Sequence, residues 1–223
     1  MMQNKEIVLC SGSPRRQDLL NELGIKFKIQ IKEVDEIFPD HLKAEKVAIY
    51  LAEKKAAAFE NEIERGTIYI TADTIVWIHD EVLGKPADAN EALHMLKKLS
   101  GTNHQVFTAV CLNSDEHKKL FCVKSEVRFK NLNEEEIKQY VEHYKPFDKA
   151  GAYGAQECLP EGMNPCSAEE NNFLKLIGKT DLFEKTLPKN KKHMPIITGI
   201  AGSYFNVMGL PVVELYQELE KWK

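Results

Sequence analysis

The segment Ile7-Val8-Leu9-Cys10-Ser11-Gly12-Ser13-Pro14-Arg15-Arg16 runs from an apolar, strand-like stretch through a turn of small residues into the start of a helix. Ser13 stands where an N-cap belongs, and Pro14 suits the first helical position, where its missing N–H would have had no partner. The free N–H groups of such a helix start accept anions, and the guanidinium forks of Arg15 and Arg16 match phosphate oxygens. This order of residues predicts a strand–turn–helix unit with a local phosphate site, for which Ser11, Arg15 and Arg16 are candidates.

Working outward, Gln17 to Leu23 places Leu19, Leu20 and Leu23 on one face, and Gly24 follows as a left-handed C-cap. Val47 to Phe59 carries a helical stripe of Val47, Leu51, Ala52 and Ala56, with Lys54 and Lys55 beside it. Lys55 either reaches toward a site or is simply solvated. Ile68 to Ile78 is rich in β-branched and aromatic residues and reads as a buried central strand. Asp88 to Leu99 opens with the capping-box spacing Asp88-x-x-Glu91 and stops at Ser100-Gly101. Gln105 to Leu112 and Leu120 to Phe129 predict an antiparallel hairpin, so the sheet is mixed. Asn133-x-x-Glu136 opens a further helix ended by Pro146, and a last helix spans about Pro211 to Trp222. Between positions 157 and 196, prolines and the basic run Lys189-Asn190-Lys191-Lys192 read as an insertion. It is expected to be a mobile surface loop, with a lid or an oligomer-contact arm as the sharper alternative.

A chain of 223 residues with 43% hydrophobic content can bury a substantial core. The net charge of −4 argues against a general nucleic-acid coat, so phosphate binding must be local. Five scattered cysteines without a C-x-x-C pair suggest neither a disulfide framework nor a zinc site. The first residues lack the form of a signal peptide, and no apolar stretch is long enough for a bilayer, so a cytoplasmic protein is expected. The absence of a Walker loop, of G-x-G-x-x-G after the first strand and of H-E-x-x-H excludes three familiar sites.

Asp73 is the most conspicuous carboxylate, because a charge inside an apolar strand is costly unless it is paired, coordinated or used. Thr71, Ala72 and Thr74 surround it with small or polar groups that admit metal and water. Asp35 and Glu36 offer carboxylates suited to Mg²⁺, although alone they read as a solvated pair. Lys85, in Leu83-Gly84-Lys85-Pro86, occupies a tight turn where glycine permits close approach to a ligand. Within Asp148-Lys149-Ala150-Gly151-Ala152-Tyr153-Gly154-Ala155-Gln156, Tyr153 is suited to pack near a base, and Gln156 to offer a donor and an acceptor to a base edge.

Together, SGSPRRQDLL, LAEKKA, ITADTIV, VLGKP, LKKLSGTNHQVFTAV, DKAGAYGAQ and GSYFNVMGLP, running from Ser11 to Pro211, resemble the Maf-like nucleotide pyrophosphatases. The resemblance implies an α/β fold related to inosine triphosphate pyrophosphatases: a long mixed twisted sheet flanked by helices, with two lobes and a central cleft. It implies one domain over residues 1–223, with the insertion at 157–196. It also implies hydrolysis of dTTP or UTP to a nucleoside monophosphate and diphosphate with Mg²⁺ or Mn²⁺, and a homodimer; the charge balance and the lack of a bilayer-length apolar stretch predict no nucleic-acid or membrane partner. On that likeness Asp73 matches the proton acceptor. Ser11, Arg15, Arg16, Lys55 and Lys85 match phosphate-side positions, Glu36 with Asp73 the metal side, and Arg15, Thr74 and Gln156 the specificity positions. The sister subgroup acting on 7-methyl-GTP, a nucleotide-binding regulator without turnover, and a DNA-binding use of Ser13-Pro14-Arg15-Arg16 are the alternatives. The chain departs from the family pattern in the long connection before Gly202 and in having Glu157 after Gln156, where relatives commonly carry glycine.

Overall fold

The computed structural model describes residues 5–188 and 193–222. The basic run at 189–192 lies outside the described residues. The elements in chain order are β1 (Glu6–Leu9), α1 (Pro14–Glu22), β2 (Lys28–Ile29), α2 (Glu45–Ala57), β3 (Thr67–Ile78), β4 (Glu81–Leu83), α3 (Ala89–Leu99), β5 (Asn103–Asn113), β6 (Lys118–Phe129), α4 (Glu134–Tyr144), α5 (Ala155–Cys158), α6 (Ala168–Leu176), α7 (Leu182–Thr186), β7 (Ile197–Ala201), α8 (Tyr204–Met208) and α9 (Val212–Glu220).

The strands form one mixed sheet in the order β2-β1-β3-β5-β6-β7, with β4 paired to β3. β1 runs parallel to β2 and β3, whereas β3, β5, β6 and β7 alternate in direction. β3 is the organising strand. Its even-numbered Ile68, Ile70, Ala72, Val76 and Ile78 enter the main core, while Ile75 joins Val47, Leu51 and Ala52 of α2 on the opposite face. That division is the two-residue period of a strand buried on both sides.

β1 stops at Leu9, opposite Ile70, and β4 begins pairing only at Val76. Among the described residues, β3 therefore has no strand partner on that side over positions 71–75. A gap of this kind, where the chain leaves a sheet toward a helix, is where open α/β sheets bind ligands.

Local signals account for most helix ends. α1 closes in a Schellman motif: the Ile25 N–H donates to the Leu20 carbonyl at 3.0 Å and the Gly24 N–H to Asn21 at 2.9 Å. Gly24 takes a φ of 77°, which a glycine adopts without strain. α4 has both bonds of its capping box. α3 has only half of one: Asp88 accepts from the Glu91 N–H, but Glu91 reaches the N–H of Ala87 instead of Asp88. The helix expected over 47–59 lies at Glu45–Ala57, because Phe59 turns away into a short 3₁₀ turn and packs on Tyr69 with ring centroids 6.0 Å apart.

The described part of 157–196 differs from the expected mobile loop. Phe173, Leu174, Leu182 and Phe183 from α6 and α7 are buried in the main core. The unread signal was Ser167-x-x-Glu170, which forms a complete capping box and starts α6.

Candidate active site

The gap beside β3 opens into a cleft of 960 Å³. Ser11, Arg15, Arg16, Glu36, Lys55, Asp73, Thr74, Lys85 and Gln156 all line it. Five segments far apart in sequence thus converge on one place: the turn after β1, the irregular stretch before α2, α2 itself, the β3 edge with the turn after β4, and the start of α5.

Asp73 is 5% exposed and projects from the α2 face of β3. Its carboxylate is ion-paired with Lys55 Nζ, which reaches down from α2 and also bonds Glu36 at 3.0 Å. Burial pushes the Asp73 carboxyl above its ordinary range; Lys55 and Arg16 oppose that push, and Glu36 adds to it. Glu36 behaves oppositely. Desolvation is the largest influence on it and would raise it, but Lys85 at 2.8 Å and Lys55 together outweigh that and hold it at about 2. One carboxylate is therefore firmly ionised and its neighbour is poised closer to protonation.

On the other face of β3, Arg16 is engaged by protein. Its Nε donates to the Gly209 carbonyl at 2.8 Å, Nη1 to Ser11 Oγ at 3.1 Å and Nη2 to Thr74 Oγ1 at 3.1 Å. Thr74 and Thr108 hydroxyls lie 2.9 Å apart, and Thr108 donates to the Asn206 carbonyl at 2.9 Å. Burial draws the Arg16 guanidinium down to about 10, against the pull of Asp73, which leaves it a cation at neutral pH. Gly209 has a φ of 110°, and a Cβ there would stand 3.4 Å from Thr74 Oγ1, so a side chain would strain the backbone beside the Arg16 contact.

Arg15 pairs with Asp148 at 3.0 Å. Lys85 sits in the turn whose Gly84 carbonyl accepts from the Gly151 N–H at 3.0 Å, which ties the VLGKP and DKAGAYGAQ segments together. Gln156 leaves its Oε1 buried and without a hydrogen-bond partner, an orphan acceptor on the wall of the cleft.

Three readings from sequence are adjusted. Ser13 occupies the N-cap position of α1 but makes no side-chain capping bond; its N–H donates to Ser11 Oγ at 3.3 Å. Tyr153 lies against His104 and Phe129, with its hydroxyl 2.8 Å from His104 Nε2, so the ring belongs to the core although it borders the cleft. Glu157 is buried, accepts from the Tyr140 hydroxyl at 3.1 Å and faces Lys149 at 3.9 Å. Lys149, which residue type alone does not single out, is 9% exposed and lines the cleft, held by Asp148 at 2.8 Å. The contributions of Gly209 and Asn206 were also missed, because a backbone carbonyl used as an acceptor leaves no mark on residue type.

The sequence matches the family described as Maf-like protein over residues 6–164. It is also 43% identical over 225 residues to a dTTP/UTP pyrophosphatase of Phocaeicola vulgatus, covering 99% of this chain and 100% of that one. The chain belongs to the Maf-like family. A dTTP/UTP pyrophosphatase of Flavobacterium johnsoniae is 39% identical over 218 residues, covering 98% of this chain and 95% of that one. A solved structure of a nucleoside-triphosphatase/dITP/XTP pyrophosphatase from Mycobacterium abscessus aligns loosely, with a TM-score of 0.39, 13% identity and coverage of 83% of this chain and 100% of that chain. The motif segments of this Maf-like chain that carry Ser11 to Gln156 all fall within the matched residues.

Proposed function

We propose that the cleft hydrolyses the α–β phosphoanhydride of dTTP or UTP, releasing a nucleoside monophosphate and diphosphate. The observation that carries this reading is Asp73: a buried carboxylate at an unpaired strand edge, with a lysine against it and an arginine-held phosphate loop beside it. Asp73 orients an attacking water and takes its proton, a role favoured when burial lifts a carboxylate toward the operating pH. Lys55, Lys85 and Arg15 neutralise phosphate oxygens, and the N–H groups at the start of α1 receive another. Arg16 fixes the loop that presents Ser11 and adds positive charge from behind it. Gln156 reads the base, with its orphan Oε1 accepting the N3–H of a pyrimidine.

Glu36 and Asp73 are the residues that would hold a divalent metal. Among the described residues, no group of three or more His, Cys, Asp or Glu side chains is placed to cage one. Two carboxylates joined through Lys55 suit Mg²⁺ or Mn²⁺ that completes its shell with substrate phosphate and water. When bound, the metal would neutralise charge on the phosphates and the leaving diphosphate.

The same reading takes residues 1–223 as one domain and the protein as a cytoplasmic homodimer. No helix among the described residues is long and apolar enough to cross a membrane. The test is a panel of natural and modified nucleoside triphosphates scored for diphosphate release with and without divalent metal. Metal-dependent turnover preferring dTTP and UTP is expected. Preference for 7-methyl-GTP, or tight binding without turnover, would replace this reading by one of its alternatives.

A further inference from the structure

Glu170 lies on α6, more than thirty positions before the GSYFNVMGLP segment, and is 1% exposed. Its Oε1 accepts from the Ser203 hydroxyl at 2.7 Å and the Phe205 N–H at 3.1 Å. Its Oε2 accepts from the Tyr204 N–H at 3.1 Å and from the Ser167 N–H at 2.8 Å. A carboxylate can only accept, and all four neighbours donate, so the match depends on this residue type.

The bonds continue without a gap. Ser203 Oγ accepts from the Asn206 N–H at 2.9 Å, and the Asn206 carbonyl accepts from Thr108, which touches Thr74, which accepts from Arg16. Asn206 Nδ2 also donates to the Val106 carbonyl and Ser125 Oγ, anchoring α8 to the sheet. At its far end α8 delivers the Gly209 carbonyl to Arg16 Nε. Both routes to Arg16 begin at the turn that Glu170 holds.

We propose that Glu170 is a positioning residue for Arg16, so that α6 braces the phosphate side of the cleft from behind and does not act as a lid over it. Only the kinetic consequence rests on the proposed nucleotide hydrolysis; the structural coupling does not. A contiguous chain of contacts becomes coupling only when a change at one end is read at the other.

The experiment compares Glu170→Gln with the unmodified protein. The amide keeps the size but turns an NH₂ group toward N–H donors. In protein labelled with ¹⁵N-arginine, proton exchange at the Arg16 Nε–H is expected to quicken by about tenfold, the equivalent of one buried hydrogen bond, with unchanged circular dichroism. Unchanged exchange overturns the proposal. In turnover of dTTP, E170Q is expected to raise KM by about tenfold at matched folded concentration, and by less than about threefold when Arg16→Lys is already present. Additive effects overturn the proposal, since distant sites acting separately add. If the unmodified protein hydrolyses no nucleoside triphosphate, the reading of function fails while the exchange measurement still decides this one. If E170Q does not fold, Ser203→Ala, which removes the hydroxyl joining Glu170 to Asn206, takes its place in both measurements with the same expected directions.

Discussion

The two faces of β3 meet the cleft in different ways. On the α2 face, Asp73, Lys55, Glu36 and Lys85 form a chain of charges whose outer members are half-exposed. On the opposite face, Arg16, Thr74, Thr108 and Asn206 form a chain of hydrogen bonds in which the only charge is held by three protein acceptors. Ion pairs between half-exposed side chains exchange partners readily and contribute little stability, whereas a buried hydrogen-bonded network fixes a geometry. In the proposed function, the first face admits phosphate and metal in place of its internal partners, and the second holds still while that happens.

Substitutions on each face should separate these roles. Asp73 itself aside, the largest effect is expected from Lys55→Met, which removes the cation against Asp73 and a phosphate-side charge together. Turnover should fall by about 100-fold or more, with the fold retained by circular dichroism. A loss under about threefold would assign the Asp73 pair to structure alone. Arg16→Lys should follow, at about 30-fold in kcat/KM, because an ammonium cannot reproduce the three-way fork to Gly209, Ser11 and Thr74. Gln156→Leu should reduce the preference for pyrimidine over purine triphosphates by about tenfold with kcat nearly unchanged, read from competing substrates. The smallest effect on activity is expected from Thr108→Val. It leaves the Asn206 carbonyl and Thr74 each short of one bond and should cost about 1 kcal/mol in urea unfolding while changing turnover by less than about threefold, because the second route, through the Gly209 carbonyl, still holds Arg16. If Thr108→Val instead hurt turnover more than Lys55→Met, the assignment of frame and reacting face would be reversed.

Much of this was legible in the chain. β3 declared itself by its β-branched run, and Asp73 by being the charge inside it. The start of α1 was marked by Pro14 at its first position and its end by Gly24, each with a local physical reason that survives in any context. Glu36, Lys55, Lys85 and Gln156 were harder: each alone reads as a solvated polar residue, and only the pairing of distant segments around the β3 edge makes them neighbours. The frame was largely illegible. The fork of Arg16 was expected to match phosphate oxygens, yet its shortest hydrogen bond goes to the carbonyl of Gly209, 193 positions away. The stretch around α6 and α7 was misjudged for a related reason: its prolines suggested a loop, while the Ser167-x-x-Glu170 box and four buried apolar side chains made it part of the core.

In the proposed reaction, the α2 face depends on one ionised carboxylate that the fold would be more comfortable without. Burial raises Asp73, so the charged form it must take at neutral pH costs stability, and a neutral amide of the same size removes that cost. Lys55 would keep Glu36 as a partner. The most direct measurement is therefore turnover of dTTP or UTP by Asp73→Asn together with its melting temperature. The account expects turnover to fall by about 10²–10⁴-fold with a melting temperature equal to or above that of the unmodified protein. Near-normal turnover, or loss of activity only through unfolding, would contradict it.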